Sequence, residues 1–254
     1  MLKKLYDKSA IGFAVVWIVA YCVLMSLGDS LSATVGVEKC LTLPIAALMA
    51  LVLFAFIKKH SLLSVYGLGF KKESPRITLY YVPILLMLGV NLIHGVKANL
   101  GIAESILYVL TMLFVGFLEE VIFRGLLFNA MRRDNEKAAI AVSSVTFGIG
   151  HIINLFNGSG AELIPNLLQV VYATAAGFMF VMIYVRSDSL VVCILAHGIF
   201  NSLGAIAAEP KSFGAHILSS MILTLITGSY ALYLVFINKK PAQNGDSKIG
   251  DKTE

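Results

Sequence analysis

The chain has 254 residues, of which 58% are hydrophobic and only 14% charged, with a formal net charge of +5. Soluble domains carry about 45–50% apolar and about 25% charged residues, so this composition excludes an ordinary globular domain and points to an integral membrane protein. The basic residues lie between apolar runs, where they set membrane orientation, and the positive charge is therefore not read as a nucleic-acid-binding surface.

A membrane-spanning helix needs about 20 mostly apolar residues. Eight runs are candidates: 10–28, 41–57, 79–93, 106–131, 138–155, 163–184, 189–208 and 215–237. The first follows Met1-Leu-Lys-Lys and resembles a signal peptide, but no small-residue cleavage site follows cleanly, so it is read as a retained span. The third run is short and the fourth long, which predicts tilt or extension past the interface. Basic residues alternate from loop to loop. Lys3, Lys4 and Lys8 precede the first run; Lys58, Lys59, Lys71, Lys72 and Arg76 follow the second; Arg132, Arg133 and Lys137 follow the fourth; Arg186 follows the sixth; and Lys239 and Lys240 follow the eighth. The intervening loops hold only Lys39, Lys97 and Lys211. Eight spans with both termini in the cytoplasm satisfy that alternation. The expected fold is thus an all-α polytopic helix bundle.

Residues 1–240 read as one transmembrane domain without internal repeats, and 241–254 as a disordered polar tail. The segment 65–72 reads equally well as a surface-lying stretch and as a plain loop. Cys22, Cys40 and Cys193 are odd in number and form no CxxC pair, which gives no support to a disulfide framework or zinc ribbon.

Ionisable residues inside spans are expensive and are candidates for function. They fall in the fourth, fifth and seventh runs. Glu119 and Glu120 are well inside the fourth, and neighbouring helical residues point about 100° apart, so the two carboxylates face different surroundings. Glu120 and Arg124 are one turn apart and can pair. Glu119 has no partner on its own helix, and a carboxylate so placed can take and give protons. In the fifth run Phe147 and His151 share a face, and the glycines beside them admit a close helix neighbour. In the seventh, His197 and Asn201 share a face. Each feature has a plain structural alternative: a hydrogen-bonded core histidine, a bracing ion pair, an interhelical asparagine. Their coincidence in one half of the chain favours a site.

The motifs EExxxR (Glu119, Glu120, Arg124), FxxxH (Phe147, His151) and HxxxN (His197, Asn201), in that order, resemble the CPBP family of CAAX proteases and bacteriocin-processing enzymes, also called Abi, over residues 100–205. The resemblance implies an eight-helix intramembrane endopeptidase with a conical cavity. It implies that Glu119 activates water with His151, that His197 and Asn201 form the oxyanion hole, and that Glu120, Arg124 and Phe147 brace the site. The implied substrates are membrane-associated peptides or prenylated and other lipidated proteins, and the implied location is a multi-pass place in a cell membrane, on style a prokaryotic plasma membrane.

Glu119, His151 and His197 could instead hold zinc in a His₂Glu arrangement; the pairing of His197 with Asn201 favours a metal-free oxyanion hole and no cofactor. No HExxH occurs, Asn157-Gly-Ser-Gly is one position off a rhomboid-type GxSG, and no predicted span holds the aspartates of a GxGD protease. Two further readings stay open: a family member acting as a non-proteolytic immunity, binding or scaffold protein, and a proton-coupled transporter. The second lacks the expected repeats and mid-span prolines.

Overall fold

The computed structural model describes residues 2–69, 81–157 and 161–236. The predicted tail 241–254 lies outside the described residues, as do Phe70, Lys71 and Lys72 of the segment read as surface-lying or loop, and Gly158 to Gly160 of the GxSG near-match. The described residues are almost entirely helical, with one isolated bridge, Val96 to Ala207, in place of strands.

A short amphipathic helix α1 (Leu2–Lys8) leads into α2 (Ala10–Val35). Ser9 caps α2 by accepting from the Gly12 amide at 3.0 Å, and Gly36 ends it in the left-handed conformation, the usual start and stop chemistry. Then come α3 (Thr42–Lys59), α4 (Val82–Val90) and the long α5 (Ile102–Met131). Next are α6 (Glu136–Gly150), continued by a 3₁₀ turn His151–Leu155, and α7 (Leu163–Ser187). The last two are α8 (Val191–Ser202) and α9 (Phe213–Phe236). Asn135 caps α6 by accepting from the Ala138 amide at 3.0 Å.

Six helices, α2, α3, α5, α6 with its 3₁₀ turn, α7 and α9, are long and apolar enough to cross a membrane, so the chain is a multi-pass membrane protein. Eight runs were expected from the sequence, and these six are the candidate spans among the described residues. The third run yields a helix of 9 residues among the described residues and the seventh one of 12, neither long enough alone to span. The seventh breaks into a 3₁₀ turn, Leu203–Ala205, beyond Ser202. The fourth run is longer than expected: α5 has 30 residues.

Side chains such as Val15, Val19, Leu48, Leu51, Leu225 and Leu232 are exposed on the outer surface, as lipid contact requires. Lipid removes most of the hydrophobic drive between helices, so close association depends on small residues and polar contacts. Two crossings show this. A Cβ on Gly116 of α5 would lie 2.6 Å from the Gly198 amide nitrogen of α8. A Cβ on Gly148 of α6 would lie 2.8 Å from the Thr174 amide nitrogen of α7, and one on Gly177 of α7 would lie 3.0 Å from the Ser144 carbonyl oxygen of α6. Gly148 therefore serves the close approach expected of it, whereas Gly150 has open space around it. The two crossings bring α5, α6, α7 and α8 together at one level, where the ionisable residues lie.

Candidate active site

The central segment of α5 is not α-helical. After Ile102–Glu120 the backbone widens into a π-helix over Val121–Phe128, every residue of which is buried. Such segments leave carbonyls in need of partners and often mark functional positions. Here Ser143 of α6 donates to the Phe123 carbonyl at 2.9 Å, and the Asn129 amide donates to the Arg124 and Gly125 carbonyls at 3.1 and 3.0 Å.

Glu119 and Glu120 sit where the helix type changes, and their surroundings differ as the 100° rotation requires. Glu120 and Arg124 are fully buried. Arg124 Nη1 donates to Glu120 Oε1 at 3.0 Å and Nη2 to the Gly177 carbonyl at 3.3 Å. The guanidinium carbon lies 4.2 Å from the Phe147 ring centroid and 5.7 Å from that of Phe180, a cation–π sandwich that helps compensate a desolvated charge. The expected Glu120–Arg124 pair is thus present.

His197 reaches both carboxylates. Its Nδ1 is 2.9 Å from Glu120 Oε1 and its Nε2 is 3.5 Å from Glu119 Oε2. Phe180 stacks on the imidazole, with centroids 5.7 Å apart and planes at 20°, while Phe147 meets it edge-on at 5.6 Å. Position and ring plane are therefore set by two aromatics and a carboxylate. Phe147 also touches His151, at 5.1 Å and 76°; the FxxxH pair is a physical contact.

His151 is the first residue of the 3₁₀ turn that ends α6. Its Nδ1 is 3.1 Å from the Phe147 carbonyl. A carbonyl only accepts, so that contact places the proton on Nδ1 and leaves Nε2 as an acceptor. The turn itself is tied down by Asn166 of α7, whose amide donates to the His151 carbonyl at 2.9 Å.

Glu119 faces a cavity of about 630 Å³. His151 and Asn201 line the same cavity. A smaller space of about 50 Å³ beside it is lined by His151, His197, Asn201 and Phe147. All four residues expected to act in the reaction thus share two adjoining cavities. Glu119 has no partner on its own helix but has one in the bundle: Tyr21 of α2 donates its hydroxyl to Glu119 Oε1 at 2.5 Å. Glu119 Oε2 has no hydrogen-bond partner among the described residues. Tyr21 is the site residue that the motifs missed. A tyrosine in an apolar run ordinarily reads as an interfacial anchor, and its partner lies 98 positions away.

Toward the surface the cavity is lined by Asp29, Lys39, Gly204 and Glu209. Lys39 donates to Asp29 Oδ1 at 2.8 Å. Burial pulls the ammonium pKa down, but the attraction and hydrogen bond of Asp29, together with Glu38 and Tyr108, hold Lys39 above the ordinary lysine value.

The zinc alternative can be set against the donor geometry. Among the described residues no group of three or more His, Cys, Asp and Glu side chains is placed as a metal site needs. His197 Nδ1 is engaged by Glu120 and His151 Nδ1 by a carbonyl, contacts that a metal-ligating histidine also makes through its second ring nitrogen.

All the motif residues, Glu119 to Asn201, fall within residues 101–203, and that stretch matches the family model described as "Type II CAAX prenyl endopeptidase Rce1-like". The CPBP resemblance read from the three motifs is therefore matched, over these residues, by a model of prenyl endopeptidases. The match covers the helices that carry the three motifs and leaves out α2, which brings Tyr21 to the site. No curated protein matches the chain.

Proposed function

We propose that this protein is a metal-free intramembrane endopeptidase acting on membrane-associated or lipidated polypeptides, with Glu119 as the base that activates water. The observation that carries this reading is the state of Glu119. Its Oε1 is fixed by Tyr21, its Oε2 has no hydrogen-bond partner among the described residues, and it faces a cavity shared with His151 and Asn201. A carboxylate fixed through one oxygen at a cavity wall, with its other oxygen buried, without a hydrogen bond and 3.5 Å from His197 Nε2, is suited to orient and deprotonate water.

In the proposed reaction, water bound between Glu119 and His151 adds to the scissile carbonyl carbon. Its proton passes to the Glu119 carboxylate, and the carbonyl becomes a tetrahedral oxyanion. The Asn201 amide and His197 Nε2–H donate to that oxyanion, the term that is usually largest in such reactions. Donation from Nε2 while Nδ1 donates to Glu120 makes His197 the imidazolium. As the intermediate collapses, the C–N bond breaks and the leaving amine takes the proton from Glu119. Atoms and charge balance without a covalent enzyme intermediate.

The cellular setting proposed with this reading is a prokaryotic plasma membrane, with eight passes and both termini in the cytoplasm. The alternation of basic loops supports the eight passes and the orientation of the termini.

The test is cleavage of a quenched fluorescent farnesylated CaaX peptide and a panel of hydrophobic peptides by the purified chain in detergent. Glu119→Ala and His197→Ala should each abolish cleavage while the protein stays monodisperse, and a strong zinc chelator should change nothing. Chelator sensitivity would restore the zinc reading. If wild type cleaves no peptide in the panel, weight moves to a binding or immunity role.

A further inference from the structure

We infer that the active-site cavity opens to the extracytoplasmic side of the membrane, so that the natural substrate is a polypeptide segment presented at that outer face rather than a protein tail in the cytosol. The inference rests on the protease reading for the word substrate, but the geometry of access stands apart from it.

The bundle has two ends that the described contacts define. At one end Tyr66 donates to the Tyr6 hydroxyl, the Leu190 amide donates to the Gly67 carbonyl, and Arg186 donates to the Leu234 carbonyl. At the other, the Glu38 amide donates to Glu104, Ser30 donates to the Asn157 carbonyl, and Asn99 donates to the Ala207 carbonyl. The first end carries Lys3, Lys4, Lys8, Lys58, Lys59, and then Arg132, Arg133, Lys137 and Arg186, against Asp7, Asp134, Glu136 and Asp188. The second carries Lys39, Lys97 and Lys211 against five acids, Asp29, Glu38, Glu104, Glu162 and Glu209. Lys39 is in addition paired with Asp29 at 2.8 Å. Excess Lys and Arg in short loops marks the cytoplasmic side, so the first end is cytoplasmic and the second is not.

The cavity belongs to the second end. Its outer lining includes Asp29, Lys39, Asn157 and the exposed Gly204 and Glu209, all from the acidic end. Its floor is Glu119 with Phe123 and Phe147. Below the floor the whole stretch Val121–Phe128 is buried, with Arg124 and Phe128 fully so. No residue of the basic end is among those that line the cavity. Polypeptide reaching Glu119 therefore enters past Lys39 and Glu209.

Two cysteine positions report access directly. Cys22 lines the cavity on α2, next to Tyr21, and Ser26 lines it one turn further toward the mouth. The full chain carrying Cys22 alone (Cys40→Ala, Cys193→Ala), and a cysteine-free chain (Cys22→Ala, Cys40→Ala, Cys193→Ala) with Ser26→Cys, would be treated in sealed right-side-out vesicles with a small membrane-impermeant methanethiosulfonate. The exposed Lys211→Cys and Lys59→Cys serve as end markers on the cysteine-free background. The expected result is labelling of Cys22, Ser26→Cys and Lys211→Cys from outside, with Lys59→Cys labelled only after permeabilisation. Lys59→Cys labelled from outside would reverse the orientation and overturn the inference. So would cavity cysteines that react only after permeabilisation, or on neither side. Labelling needs no cleavage, so failure here is distinct from failure of the protease reading.

Discussion

Glu119 and Glu120 are consecutive in the chain and lie in two different environments. Glu120 is inside a buried cluster with Arg124 and His197, its Oε1 within 3.0 Å of both, its Oε2 without a hydrogen-bond partner among the described residues, and the guanidinium against two phenyl rings. Glu119 stands at a cavity wall, with one oxygen tied to Tyr21 and the other 3.5 Å from His197 Nε2 without a hydrogen bond. A rotation of about 100° per residue separates a carboxylate that can only hold from one that can exchange a proton with water. His197 joins the two: Glu120 fixes its ring through Nδ1, and Nε2 is turned toward Glu119. The lesson is that a doubled acidic motif encodes a scaffold position and a reactive position, and that the scaffold orients the partner of the reactive one.

The sharpest way to break that comparison is to neutralise each member in turn. Glu119→Gln keeps the shape and the Tyr21 contact but removes the base. On the proposed mechanism the cleavage rate falls by about 10²–10⁴, the usual range for general base catalysis, with unfolding in mixed micelles unchanged. A variant that retains near-wild-type rate would remove Glu119 from the reaction. The opposite profile is expected for the scaffold. Arg124→Ala leaves Glu120 buried beside His197 without its cation, and breaking such a pair costs about 3–5 kcal/mol of stability. Replacing both, Glu120→Gln with Arg124→Met, should recover part of that loss while leaving the rate low, because His197 loses its carboxylate anchor. Equilibrium unfolding and turnover measured on the same samples separate the two effects.

Asn201 tests the reactive side from another wall. Its side chain lines both cavities, and no hydrogen bond is formed by it among the described residues. Asn201→Ala should therefore leave the unfolding midpoint in place. Turnover should fall by about 10²–10³, the cost of removing one oxyanion donor, with KM little changed. A parallel loss of stability would instead make Asn201 a helix-joining residue.

Much of this was legible in the sequence, and the reasons for the rest are physical. The class and the segmentation follow from composition and from apolar runs, which lipid enforces strictly. The motif residues follow from the rarity of charge inside spans, and the Glu120–Arg124 contact from one-turn spacing. Three things were not legible. The π-helix at Val121–Phe128 depends on which carbonyls Ser143 and Asn129 can reach, a tertiary condition. The shortness of α8 depends on a 3₁₀ break beyond Ser202 inside an apolar run that continues to Ala208. The role of Tyr21 depends on where α2 docks against α5, and a single hydroxyl in a run of valines and alanines carries no signal of that.

Tyr21 also gives the smallest and most specific test. Tyr21→Phe removes one hydroxyl from a half-buried ring and leaves the packing volume nearly unchanged. A hydrogen bond to a charged group contributes about 1.5–3 kcal/mol. If that contribution only positions Glu119, the lower bound corresponds to a rate reduction of about tenfold, carried in kcal-scale terms by kcat, since Tyr21 would act through Glu119 rather than on substrate. Glu119→Gln combined with Tyr21→Phe should then be no slower than Glu119→Gln alone, as for residues that act as a unit. Additive losses in that double variant would mean that Tyr21 contacts the substrate itself.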